Sequence, residues 1–275
     1  MEDGTPALSG RLSASPPAWR ASPLLLGTII LAWALAITAE LTGRVQWVHH
    51  HDLMVEQFTL LASVGLFLVA WQVHVAAMML PSTLPMYALF RRASAGQPRP
   101  QATRLAFVAG YAAVWTAFGI AALAGDALLQ LTRMQWHGLM HHPELIAGAV
   151  IIVAGAFQFS ALKERCMDKC RHPAMFLMHH YRRGVDHAFR LGAHHGLYCL
   201  GCCWALMLVM FVVGIANLAW MAPLALLMVY EKVGRHGPQI VRPVGVGLIL
   251  FGAVVMADPQ WLPAIVPSGN GPHAH

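Results

Sequence analysis

Charged residues are scarce in this sequence, and their scarcity argues against a soluble globular protein. Only 11% of the 275 residues are charged, whereas 57% are hydrophobic, and the mean hydropathy is positive. Such a composition is typical of a polytopic membrane protein whose core is packed within lipid. The net charge of +6 is compatible with binding to nucleic acid, but the basic residues lie in the connections between apolar runs. We therefore expect a lipid bilayer, and no nucleic acid, as the partner of these charges.

Motifs for nucleotide binding and serine hydrolysis are also missing. The chain contains no GxGxxG, Walker or GxSxG motif, and it shows no internal repeat. Neither chemistry therefore has support in the sequence.

Seven apolar runs are present, and they predict an all-α polytopic bundle of about seven transmembrane helices. Most of them approach the roughly 20 residues that a bilayer requires. If all seven span with the N-terminus inside, sixteen of the 18 lysines and arginines lie on the inner side, and only Arg44 and Arg133 lie outside. This positive-inside pattern favours an N-in, C-out topology. The runs are 23–41, 57–79, 105–124, 145–162, 196–216, 218–231 and 243–258.

The two ends of the chain differ in composition from the apolar region. Residues 1–22 are rich in serine, proline and alanine, which predicts a disordered cytoplasmic tail. Residues 23–258 form the predicted transmembrane helical domain, and residues 259–275 a flexible outer tail. The first apolar run is long for the core of a cleavable signal peptide, so we interpret it as an uncleaved signal anchor.

Cysteine is rare, but three of the five cysteines stand within five residues, as Cys199, Cys202 and Cys203. On a helix, His195, Cys199 and Cys202 share one face. Thiolate, imidazole and thioether side chains bind Cu(I) or Zn(II), whereas hard cations require clustered carboxylates, which this stretch lacks. The alternative is that the cysteines are small buried hydrophobic residues. We favour a soft-metal site.

Other candidate ligands fall at the same predicted depth, near the inner surface. Cys166 and Cys170 are four residues apart, beside basic residues that favour a thiolate. Pro81 and Pro85 predict a break after the second apolar run, which would aim Met79 toward a site. The predicted metal-ligating set is Cys166, Cys170, Cys199, Cys202, Cys203, His195, His194, His74, Met78 and Met79. Glu231 is predicted to accept from a ligating histidine or, as the alternative, to pair with Lys232 or Arg235.

A second, outer patch is also a candidate site. Two predicted outer loops are rich in imidazole, which binds Cu(II), zinc and nickel. Solvated loop histidines are the alternative. The residues of this patch are His49, His50, His51, Asp52, His137, His141 and His142.

Four sequence blocks resemble a known family. The blocks are AAMMLPSTLPM (76–86), KERCMDKCRHP (163–173), HHGLYCLGCCWALMLVM (194–210) and LLMVYEK (226–232). Together they resemble a bacterial family of predicted metal-binding integral membrane proteins that carries a domain-of-unknown-function label, and the resemblance covers most of residues 55–250. It implies a multi-pass protein of the bacterial inner membrane with a metal site on the five cysteines, and it implies no established substrate.

Three functions remain open on the sequence. Metal trafficking, sensing or transport is the first, with Cu(I) as the favoured ion, zinc as the alternative, and a metallochaperone or metalloenzyme as partner. A membrane thiol–disulfide enzyme that uses the same cysteines is the second, because the spacing offers both an attacking and a resolving thiol. A haem protein with His74 and His195 as axial ligands is the third.

Overall fold

The predicted all-helical fold is confirmed. The structure is a computed structural model that describes residues 23–42, 60–135, 142–213 and 217–258. Within these ranges the chain forms ten helices and no strand. They are α1 (Pro23–Leu41), α2 (Leu60–Met78), α3 (Leu80–Ala93), α4 (Pro100–Gln135), α5 (Pro143–Phe157), α6 (Ala161–Arg171), α7 (Pro173–His180), α8 (Val185–Val213), α9 (Leu218–Val233) and α10 (Gly237–Ala257).

Five of these helices, α1, α2, α4, α8 and α10, are long and apolar enough to cross a membrane. The pair α5 and α6 adds a sixth if it is one span, bent by 63° at residues 158–160. The remaining predicted span, the sixth run (218–231), corresponds to α9, whose 16 residues reach about 24 Å at about 1.5 Å per residue. That length is short of a hydrocarbon core of about 30 Å. The count of seven spans and the N-in orientation remain predictions.

Several helices are longer than the apolar runs that predicted them, and two short helices were not predicted. α8 begins at Val185, eleven residues before the predicted start of the fifth run. The cysteines therefore lie in the middle of the helix and not near its first turn. Hydropathy detects only the part of a helix that is apolar, and the first turns of α8 carry Asp186, His187 and Arg190. The two short helices α6 and α7 occupy the stretch after the fourth run, where we expected an inner loop with a surface segment.

The break after α2 occurs where the prolines predict it. α2 ends at Met78 and α3 begins at Leu80, with Pro81 in its first turn and Pro85 inside it. A proline is tolerated in the first turn because the N–H groups there lack helical partners. Met79 is the residue between the two helices, and it is buried. Met79 thus marks the interruption between the two helices.

α8 is the central helix, and it packs closely on α4. A Cβ at Gly192 on α8 would overlap the carbonyl oxygen of Phe107, and a Cβ at Gly110 on α4 would overlap the carbonyl oxygen of Phe189. These two glycines bring the backbones of α4 and α8 together, as small residues do between helices in membranes. The close approach places Tyr111, next to Gly110, within reach of Cys199 on α8.

The predicted tails, 1–22 and 259–275, lie outside the described residues. Most of the outer histidine patch does as well, namely His49, His50, His51, Asp52, His137 and His141. Of this patch the structure describes His142, whose Nδ1 lies 2.7 Å from Oε1 of Glu144.

Candidate metal centre

Four sulfur-bearing residues of the central region lie close together and buried. The Sγ atom of Cys203 is 3.6 Å from the Sδ atom of Met79. Cys199 and Cys202 belong to the same turn of α8, and all four residues are buried. We call Met79, Cys199, Cys202 and Cys203 the sulfur cluster. It forms where the α2–α3 break meets the middle of α8.

Local hydrogen bonds orient two of the thiols. Sγ of Cys202 and Sγ of Cys203 donate to the backbone carbonyl of Cys199, at 3.0 and 2.8 Å. A thiol three or four residues ahead on a helix can reach this carbonyl because it lies on the same face. Both sulfurs are therefore directed toward Cys199.

The second cysteine pair meets the first. The thiols of Cys170 on α6 and Cys202 on α8 lie close enough to influence each other electrostatically. The Sγ of Cys166 lies 2.5 Å from the point that a Cβ on Gly201 would occupy, so this glycine makes room for it. The sequence placed the two pairs at one depth, and the structure brings them into contact.

The two cysteines of α6 lie beside the sulfur cluster. Cys166 is buried against Gly201 of α8, and Cys170 is half-buried. Their assignment as metal ligands remains a prediction.

Two further side chains contact the sulfur cluster, and neither belongs to the predicted ligand set. Nζ of Lys232 lies 3.1 Å from Sγ of Cys199, 3.8 Å from Sγ of Cys203 and 3.9 Å from Sδ of Met79, and it also lies 3.3 Å from Oγ of Ser82. The hydroxyl of Tyr111 is 3.2 Å from Cys199 Sγ. With an ammonium and a phenol beside it, Cys199 has the surroundings that favour a thiolate.

The end of α9 is held in place by a buried ion pair. Oε2 of Glu231 lies 2.6 Å from Nζ of Lys163, and its Oε1 accepts from Gln158 at 3.2 Å. The guanidinium of Arg171 donates to the backbone carbonyl of Glu231 at 2.9 and 2.6 Å. Glu231 thus ties α9 to α5 and α6. This anchor positions the neighbouring Lys232.

The predicted histidine and methionine ligands lie in different surroundings. The ring of His195 is buried between Tyr111 and Phe176, with both centroids 5.9 Å away. His74 stacks on Trp71 at 5.8 Å. Exposed His194 faces the ring of His180 at 5.6 Å, and Met78 is fully buried in the core.

The cluster suits a soft ion of low coordination number. In the described part of the chain, no three side chains of histidine, cysteine, aspartate or glutamate converge as metal ligands do. The group that does converge contains a thioether in addition to thiols, and thiolate with thioether is the combination that selects Cu(I). Metal–sulfur bonds of about 2.3 Å allow sulfurs roughly 4 Å apart, and the 3.6 Å between Cys203 and Met79 is within that distance.

Fold and site together define an all-helical protein with apolar, span-length helices and a buried cluster of soft ligands. The chain belongs to the PpoB2 family, described as a copper chaperone, whose model matches residues 68–255. The match includes all four members of the sulfur cluster, and it supports the predicted binding or trafficking of copper. No curated protein and no solved structure matches the chain.

Proposed function

We propose that this protein is a membrane-embedded chaperone that holds Cu(I) between Met79, Cys199 and Cys203 and delivers it to a partner metalloprotein. The contact between Cys203 and Met79, 3.6 Å across the α2–α3 break, is the observation that carries the proposal. A thioether beside two cysteines favours copper over zinc, since zinc sites in proteins use thiolate, imidazole and carboxylate. The family match supports the same metal.

The proposal also includes a position for the copper site in the membrane. The positive-inside pattern supports a cytoplasmic position for the α2–α3 break, α6 and the end of α9. Copper bound there would be taken from, or passed to, a cytoplasmic or membrane-bound partner. The span-length helices α1, α2, α4, α8 and α10 would hold the cluster at the inner boundary of the bilayer.

Copper binding with cysteine variants tests this function. Purified in mild detergent and loaded without oxygen, the wild-type protein is expected to bind one Cu(I) in competition with a chromogenic chelator. Cys199→Ser and Cys203→Ser are expected to weaken binding by more than about 100-fold, since losing a group that only orients a ligand already costs about 10–100-fold. Cys166→Ser is the matched control, because its sulfur lies against Gly201, and it should bind copper nearly as the wild type does. Equal copper binding by Cys199→Ser and Cys166→Ser would contradict the assignment.

The contact between Cys170 and Cys202 favours a second candidate, a thiol–disulfide exchanger. These two thiols come from different helices and lie near each other, as an attacking and a resolving cysteine do. All five cysteines are free in the structure. Mass spectrometry after mild oxidation would support this function if a Cys170–Cys202 disulfide formed reversibly in protein that binds no copper.

A further inference from the structure

The ammonium group of Lys232 occupies the position expected of a bound cation. It is 5% exposed and lies within 3.1–3.9 Å of Cys199, Cys203 and Met79. The carboxylate next to it in the sequence, Glu231, is already paired with Lys163 at 2.6 Å. The charge of a buried ammonium must be stabilised by the groups around it. Here those groups include the sulfur atoms that a soft metal would bind.

Copper and this ammonium cannot share the cluster. A Cu(I) ion about 2.3 Å from the sulfurs of Cys199 and Cys203 would lie within a few ångströms of an ammonium that is 3.1 and 3.8 Å from the same two atoms. Two like charges at that separation repel strongly in a buried site. One of the two cations must leave.

A place for the displaced ammonium is present next to the cluster. Lys232 also lines an open cavity of about 380 Å³ between the ends of α6 and α9. The cavity is lined by two exposed carboxylates of α6, Glu164 and Asp168, and also by two arginines, Arg171 and Arg235. Of the two carboxylates, Asp168 already lies 3.9 Å from Lys169 and 3.5 Å from His172, so Glu164 is the main new partner for the ammonium. The four-carbon stem of a lysine is flexible enough to turn from one set of partners to the other.

We propose that Lys232 is a resident cation of the sulfur cluster, which Cu(I) displaces into the cavity lined by Glu164 and Asp168 and which returns when copper is released. This inference rests on the proposed function. The exchange replaces one monovalent cation by another, so the charge of the buried cluster is the same with and without copper as long as the thiols keep their protonation state. A thiol that is protonated before copper binds would release its proton to solvent when it becomes a ligand.

Acylation of lysines on the full-length protein in detergent tests the exchange. A water-soluble N-hydroxysuccinimide ester of acetate is applied to metal-free and Cu(I)-loaded protein, and peptide mass spectrometry measures the modification of each lysine. Lys232 is expected to be protected without copper and to react several-fold faster when copper is bound. Lys163, 1% exposed and ion-paired, should stay protected in both states, and Lys169, whose side chain is 50% exposed, should react in both.

Copper stoichiometry in the same samples separates the two proposals. If one copper binds and Lys232 stays as protected as Lys163, the displacement is overturned and the copper site stands. If Lys163 becomes reactive in parallel, copper opens the whole region and the displacement is likewise overturned. If no copper binds, both proposals fail. Cys199→Ser, which lacks a ligand of the site, should show no change at Lys232 when copper is added.

Discussion

Glu231→Ala is expected to lower the free energy of unfolding by about 3–5 kcal/mol, the usual result of removing one partner of a buried ion pair. The substitution leaves the ammonium of Lys163 buried without its carboxylate, and both side chains are nearly inaccessible, at 2% and 1% exposure. Gln158 loses its acceptor as well. Titration with a denaturing detergent in mixed micelles, followed by circular dichroism, measures the change.

A double variant shows whether the loss comes from the unpaired charge. Lys163→Met combined with Glu231→Gln removes both charges and keeps an acceptor for Gln158, so most of the stability should return. If the double variant is as unstable as the sum of the two single variants, the ion pair is not the cause.

Gly192→Ala is expected to destabilise the protein by about 1–3 kcal/mol or more, as overpacking of a close contact does. The new Cβ would overlap the carbonyl oxygen of Phe107 on α4, and backbone cannot move aside as a flexible side chain can. Alanine is about 1 kcal/mol better than glycine within a helix, so the observed loss is the steric cost minus this gain. The same detergent titration measures it.

The matched control for this prediction is Gly247→Ala. Gly247 also lies within a helix, α10, but a Cβ there meets nothing within 4 Å. This variant should therefore be unchanged or slightly more stable. Equal effects at Gly192 and Gly247 would contradict the close packing of α4 on α8. Separation of these helices should also move the hydroxyl of Tyr111 away from Cys199.

The helical fold could be predicted because long apolar runs specify helices in lipid whatever their partners are. Each of the seven runs contains a helix, at least in the described residues. The ends of the helices were less predictable. The first eleven residues of α8, for example, are too polar to be detected by a hydropathy pattern. The prolines near residue 81 predicted the break that exposes Met79 to Cys203, because a missing N–H acts locally.

Only some of the residues of the site could be predicted from the sequence. Helical spacing places Cys199 and Cys203 on the same face of one helix, and the sulfur ligands alone predicted copper as the metal. Lys232 follows Cys199 by 33 positions and Met79 by 153, and no local spacing connects residues so far apart. A lysine near the end of an apolar helix is also common, since it usually reaches the membrane surface.

The sequence by itself determined the helices, the break at Met79 and the sulfur-rich turn of α8, because each depends on side chains within a few residues of one another. Only the tertiary structure decided that Cys170 reaches Cys202, that Tyr111 reaches Cys199 and that the ammonium of Lys232 lies among the sulfurs. Those contacts depend on how closely whole helices approach. That distance is set by glycines and by a buried ion pair acting between segments remote in the chain.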